Sequence, residues 1–149
     1  MKTVFDQADR QSILHRLDAL QPGSERKWGK MTVAQMLAHC AKSLETASGD
    51  RPMKQAFIGK IITPLIRSSV WGDKPFGRSS PTDPTFVVTD ERDFATERAK
   101  VLEILNRIIQ RGPEAAATQT HPFFGKLTGE AWGQLIYKHL DHHLQQFGV

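Results

Sequence analysis

The sequence predicts an all-α fold, a bundle of four or five amphipathic helices in a single domain over residues 1–149. Three observations carry this. Five segments place apolar residues at three- and four-residue spacing, the period of a helix with one buried face. Glycine- and proline-containing breakers, "QPG", "SGDRP" and "RGP", separate them. Apart from the short "TFVVT", no stretch alternates apolar and polar residues as a half-buried strand does. A chain of 149 residues is long enough to bury a core of its own.

The first helix is expected from about Asp6 to Leu20, with Ile13, Leu14, Leu17 and Leu20 on one face. The second opens at Thr32, a side chain able to cap, with Gln35 placed to close a capping box. It runs to about Ser48. The third, about 53–70, is apolar but contains Gly59 and Pro64, and is expected to bend or split at Pro64, which lacks a backbone donor. A loop from Trp71 to Thr89 follows, with three prolines, two glycines and no period. The fourth helix is expected from a cap at Asp90 to about Arg111, on a stripe of Phe94, Val101, Leu102, Leu105, Ile108 and Ile109. "EAAATQTHPFFGKL" connects onward, with a tight turn at "FFG", and the last helix runs from about Thr128 to Phe147 before Gly148.

Composition narrows the function classes. Hydrophobic residues make up 39% and charged residues 24%, an ordinary globular balance. No apolar run approaches the roughly 18–20 residues of a membrane span; the best, "AFIGKIITPLI", is interrupted by Lys60 and Pro64. The opening "MKTVFDQADRQS" lacks the apolar core of a secretory signal. A single cysteine, Cys40, forms no internal disulfide, so a cytoplasmic location is expected. The net charge of +4 is spread singly along the chain without a basic cluster, which argues against a nucleic-acid partner.

The last helix holds the most informative residues. "YKHLDHHLQQFGV" carries His139, His142 and His143, half of the six histidines in the chain. On a helical wheel Trp132, Ile136, Leu140 and Phe147 share a sector roughly 80° wide. His143 falls inside it, His139 at its edge, and His142 about 60° further out. His139 and His143 are thus one turn apart on the buried face, where two neutral imidazoles can aim at one cation. A chance pair on a wet face is the competing reading. A metal needs a third ligand, and His15, His39, His121 and Cys40 are the candidates. By periodicity His39 is a boundary residue, toward the polar side of the Val33–Leu37–Leu44 stripe. Cys40 reads as a small core residue, and His121 lies in the loop "THPFFG". Trp28, Trp71 and Trp132 read as packing residues.

The segments "WGKMTVAQMLAHCAKSLE" and "HPFFGKLTGEAWGQLIYKHLDHHLQQFG" resemble the DinB/YfiT-like superfamily of helical-bundle metalloenzymes, and within it a bacterial group labelled as a domain of unknown function. The resemblance implies a DinB-like four-helix bundle with an extra short or split helix and a long loop. It also implies a three-histidine metal site, which matched residue by residue is His39, His139 and His143. The extra His142 leaves a His139/His142 pairing open. The implied cofactor is a divalent metal ion: zinc, nickel or iron. Three imidazoles with open positions are the pattern of a catalytic ion. The implied chemistry is thiol-dependent transfer, or hydrolysis, on a small-molecule substrate, with a low-molecular-weight thiol as co-substrate and two copies pairing through helices. The 71–89 loop is expected to cover the site, with Arg78 as a substrate contact, or simply to pack. Glu45 and Gln35 are weak suggestions for partners of the ligand rings. A different class stays open: a non-catalytic bundle whose histidines take metal adventitiously and whose third helix is an interaction face.

Overall fold

The computed structural model describes every residue except 73 and 79–81, and at 68 and 69 the backbone alone. The part of the loop expected over Trp71 to Thr89 that falls on those four positions lies outside the described residues. The elements are α1 (Gln7–Ala19), α2 (Val33–Ser48), α3 (Phe57–Val70), α4 (Phe94–Ala117) and α5 (Gly129–Gln146). A hairpin of β1 (Thr120–His121) and β2 (Gly125–Lys126) and a 3₁₀ turn at Pro84–Phe86 complete them. The fold is therefore the expected all-α bundle. Among the described residues no helix is long and apolar enough to cross a membrane.

Local chemistry sets the helix ends. The Asp6 carboxylate accepts from the backbone N–H groups of Ala8 and Asp9, satisfying two donors that α1 leaves open. The Thr32 hydroxyl accepts from Gln35 N, and the Gln35 side chain accepts from Thr32 N at 2.9 Å, the capping box that the sequence implies. α4 is capped by Asp93, not by Asp90 as expected, because only a carboxylate three residues before Thr96 reaches the N–H of Thr96. Asp90 instead pairs with Arg92. α4 breaks near the expected place: Gly112 has φ +78°, and Pro113 opens a short further turn. That turn lengthens the helix beyond the sequence expectation.

Two more expectations are corrected. α3 was expected to bend or split at Pro64, and of these the split does not occur: one helix runs through it. Pro64 and the preceding turn face solvent, where the carbonyl that loses its donor is hydrated. "TFVVT" is not a strand; it leaves the 3₁₀ turn as extended chain with no partner strand among the described residues.

Four helices, α1, α2, α4 and α5, pack on one another, with α2 against both α4 and α5, and α1 against α5 and bonded to Arg98 of α4. Ile13, Leu37, Val101 and Leu105 are fully buried where they meet. α3 reaches the bundle at its C-terminal end, where Val70 joins the core and its carbonyl accepts from Lys138 of α5, while its N-terminal half is held by the hairpin. Gln55 Nε2 and Thr63 Oγ1 both donate to the Phe123 carbonyl at 2.8 Å, and a Cβ at Gly59 would lie 2.6 Å from that same oxygen. Only glycine permits this approach. Because α2 is covered on nearly every side, Met36, Ala38, His39 and Cys40 are all buried.

Thr32→Ala removes the hydroxyl half of the capping box on the central helix. Urea unfolding should show a loss of about 1 kcal/mol with an unchanged dependence on denaturant.

Candidate metal centre

Three histidines converge between α2 and α5. One ring nitrogen each from His39, His139 and His143 lies within 4.8 Å of the others. The ring centroids are 4.8 to 5.0 Å apart. The helical turn between His139 and His143 supplies two of the rings, and the second turn of α2 brings in the third. His39 is 5% exposed, although its wheel position is toward the polar side. The wheel weighs a helix against a single neighbour, whereas here the 3₁₀ turn covers the flank of α2 that would otherwise be wet.

The outer nitrogens decide which way the lone pairs point. His39 Nδ1 lies 3.0 Å from the Phe86 carbonyl oxygen. A carbonyl only accepts, so Nδ1 carries the proton and Nε2 the lone pair. His143 Nδ1 lies 2.9 Å from Gln146 Oε1. The Gln146 amide is oriented by its Nε2, which donates to the Trp28 carbonyl at 2.8 Å. The His143 lone pair is therefore also on Nε2. His139 Nε2 is 3.0 Å from His39 Nε2, and the His39 tautomer makes His139 the donor of that bond. A cation in its place would require His139 to carry its proton on Nδ1 instead, leaving Nε2 free and the ring neutral. Four-coordinate ligation with metal–nitrogen bonds of 2.0–2.1 Å places ligand nitrogens about 3.3 Å apart, which the cluster meets with small ring movements.

Electrostatics favours the same state. Burial lowers the pKa of His39, and of His143 to about 3, while His139 is held well below its ordinary value by burial and then by the neighbouring imidazoles. All three rings are neutral at pH 7, the form that ligates a metal. The group contains no carboxylate.

The other candidates lie elsewhere. His142 is half-buried with its ring edge-on to Trp28 at 5.8 Å and to Phe76 at 6.0 Å, outside the group of three. His15 is exposed. His121 Nδ1 accepts from the backbone N–H groups of Phe123 and Phe124. Its ring stacks on Phe124 at 4.5 Å, and burial lowers its pKa to about 4. Cys40 is a core residue whose Sγ lies 3.7 Å from Met36 Sδ, with its thiol pKa raised by burial. Trp132 packs on His121, and Trp71 packs on Phe124.

Gln35 and Glu45, suggested as partners of the ligand rings, are used otherwise: Gln35 in the capping box and Glu45 in an ion pair with Lys100. The actual partners are the Phe86 carbonyl and Gln146. Gln146 was legible, since it stands one turn after His143. A backbone carbonyl brought in by a loop leaves no such signal.

The buried neutral imidazoles make acid destabilising. His143 binds a proton near pH 6.5 when unfolded and only near pH 3 when folded, so its contribution is complete above pH 6.5 and is lost as pH falls toward 3. Metal-free protein should lose about 2 kcal/mol between pH 7 and pH 5 from this residue alone, read by urea denaturation. An unchanged midpoint across that range would contradict a neutral buried His143.

No curated protein and no solved structure matches the chain. A family model does, the one described as "Protein of unknown function (DUF1569)", and it spans residues 4–148. The convergent histidines thus lie in a chain that belongs to the DUF1569 family.

Proposed function

We propose that this protein is a divalent-metal-dependent enzyme of the DinB/YfiT-like type, with the ion held on Nε2 of His39, His139 and His143. The observation that carries this is the tautomer arrangement. Two of three converging imidazoles are fixed with their lone pairs inward by protein acceptors on their outer nitrogens. Metal-binding histidines use the same support. The donor set fits zinc, nickel or iron, all of which accept imidazole.

A divalent ion held by three neutral ligands supplies a Lewis acid with open positions, able to bring the pKa of a water or a thiol toward neutrality. The rest falls to the chain. Phe86 and Gln146 hold two rings in orientation, so little reorganisation accompanies binding. His139, only partly buried, would ligate as the tautomer with its ring proton on Nδ1, so the proton now on Nε2 would move to Nδ1 by exchange with solvent and the ring would stay neutral. The proposed reaction is transfer to or from a low-molecular-weight thiol, or hydrolysis, on a small-molecule substrate in the cytoplasm. The buried, reduced Cys40 is compatible with that compartment.

One observation favours a second reading, a non-catalytic protein that pairs with another copy of itself. α3 turns Phe57, Ile58, Ile61 and Leu65 outward, and Phe57 and Leu65 are each 78% exposed. Size measurement with and without chelator separates the two readings. An interaction protein keeps its size and stability when metal is removed, whereas the enzyme reading requires a change in stability.

Elemental analysis of untagged protein should find about one zinc, nickel or iron per chain. His39→Ala, His139→Ala and His143→Ala should each lose it. Gln146→Ala, which frees the outer nitrogen of His143, should weaken affinity roughly 10- to 100-fold while keeping the fold. Full metal content in His39→Ala would overturn the proposal.

A further inference from the structure

Beside the three imidazoles lies a ledge of aromatic and cationic side chains that the metal reading does not use. The Arg78 guanidinium lies over the Trp28 ring, its Cζ 4.5 Å from the centroid. It makes no hydrogen bond or ion pair with any described residue. Trp28 meets His142 edge-on, and His142 in turn contacts His143 at 5.1 Å. Neither ring nitrogen of His142 has a hydrogen-bond partner among the described residues. On its other side His142 meets Phe76, over which Lys138 Nζ lies at 4.9 Å. Lys138 is anchored by the Val70 and Gly72 carbonyls at 2.8 and 2.9 Å.

The ledge is tied to the centre. The Gln146 side chain donates to the Trp28 carbonyl and accepts from His143, so one residue positions both the floor of the ledge and a proposed ligand. A guanidinium stacked on an indole loses rotational freedom while its N–H edge stays open, and that edge matches a carboxylate or phosphate in two parallel hydrogen bonds. Arg78 and His142 present unused polar groups on one aromatic surface, and no acidic side chain among the described residues pairs with the guanidinium.

We propose that Arg78, Trp28 and His142 form a subsite for the anionic end of a ligand, a carboxylate or phosphate, whose other end reaches the metal centre. This deepens the proposed function and rests on it. The aromatic floor takes the intervening apolar part, His142 donates to the anion or its linker, and Arg78 balances the charge. The ligand class is thus a bifunctional small molecule with a metal-seeking head and an acidic tail.

The test uses the full chain with one equivalent of cobalt(II) in place of the native metal, so that thiolate binding is read from its charge-transfer absorption. The probes are 3-mercaptopropionate and 6-mercaptohexanoate, each against the mercapto-alcohol of equal length. At least one acid should bind about fivefold more tightly than its alcohol. Arg78→Gln should abolish that preference without changing affinity for the alcohols, and Arg78→Lys should retain part of it. No preference for either acid, a preference that survives Arg78→Gln, or no thiolate band at all would overturn the subsite. A protein that takes up no cobalt would remove the metal reading itself, and that result registers before any thiol is added.

Discussion

Two hydrogen bonds on the outer edges of His39 and His143 constrain everything at this centre. Each commits a buried imidazole to one tautomer, and together with His139 they turn basic nitrogens toward a common point. Neutral imidazoles whose lone pairs gather at one point form a donor set suited to a cation. The single proton that His139 lends to His39 relieves one of them, and His143 Nε2 has no such donor among the described residues. A cation satisfies all three nitrogens together.

The scaffold explains how that arrangement persists. The 3₁₀ turn lies over the flank of α2 that carries His39, so the ring cannot swing outward without displacing that turn and losing the Phe86 carbonyl. α5 is fixed along its length by apolar residues on the inner face and by Arg16 on the outer one. Arg16 binds the Asp141 carboxylate at 2.6 Å and the Val149 carbonyl at 2.9 Å. The same contacts hold Gln146 in register with His143. The irregular segment contributes as well: the 3₁₀ turn at Pro84–Phe86 presents a carbonyl that regular helix would have consumed internally. Rigid helices set the positions, and the loop sets the protonation pattern.

Much of this scaffold was legible in the sequence, and most of the exceptions share a cause. Asp6, Thr32 with Gln35, and Thr128 announced helix starts because a cap is a local interaction between neighbours in the chain. The His139/His143 pair was legible for the same reason, since helical spacing alone puts both rings on one face. Apart from the α4 cap, placed at Asp90 where Asp93 makes it, what failed depended on surroundings distant in the chain. Pro64 was read as a bend or a split, and the split is absent because its turn faces water, which the sequence could not tell. His39 was read as a boundary residue because a wheel cannot register a loop that folds back over the polar flank. Its role as a ligand was implied by resemblance alone; the geometry brings a nitrogen of its ring within 4.8 Å of those of His139 and His143. The Phe86 carbonyl was beyond reach, as every residue carries one.

The most direct measurement is the pair of two-bond proton–nitrogen spectra of histidine-labelled protein, recorded metal-free and with one equivalent of zinc. Ligation by the three inward nitrogens predicts that Nε2 of His39, His139 and His143 shift together and saturate at one equivalent, with Nδ1 protonated in His39 and His143 throughout. His15 and His121 should not move. Shifts that spread over all six histidines without saturating, or a His39 ring found with its proton on Nε2, would contradict it.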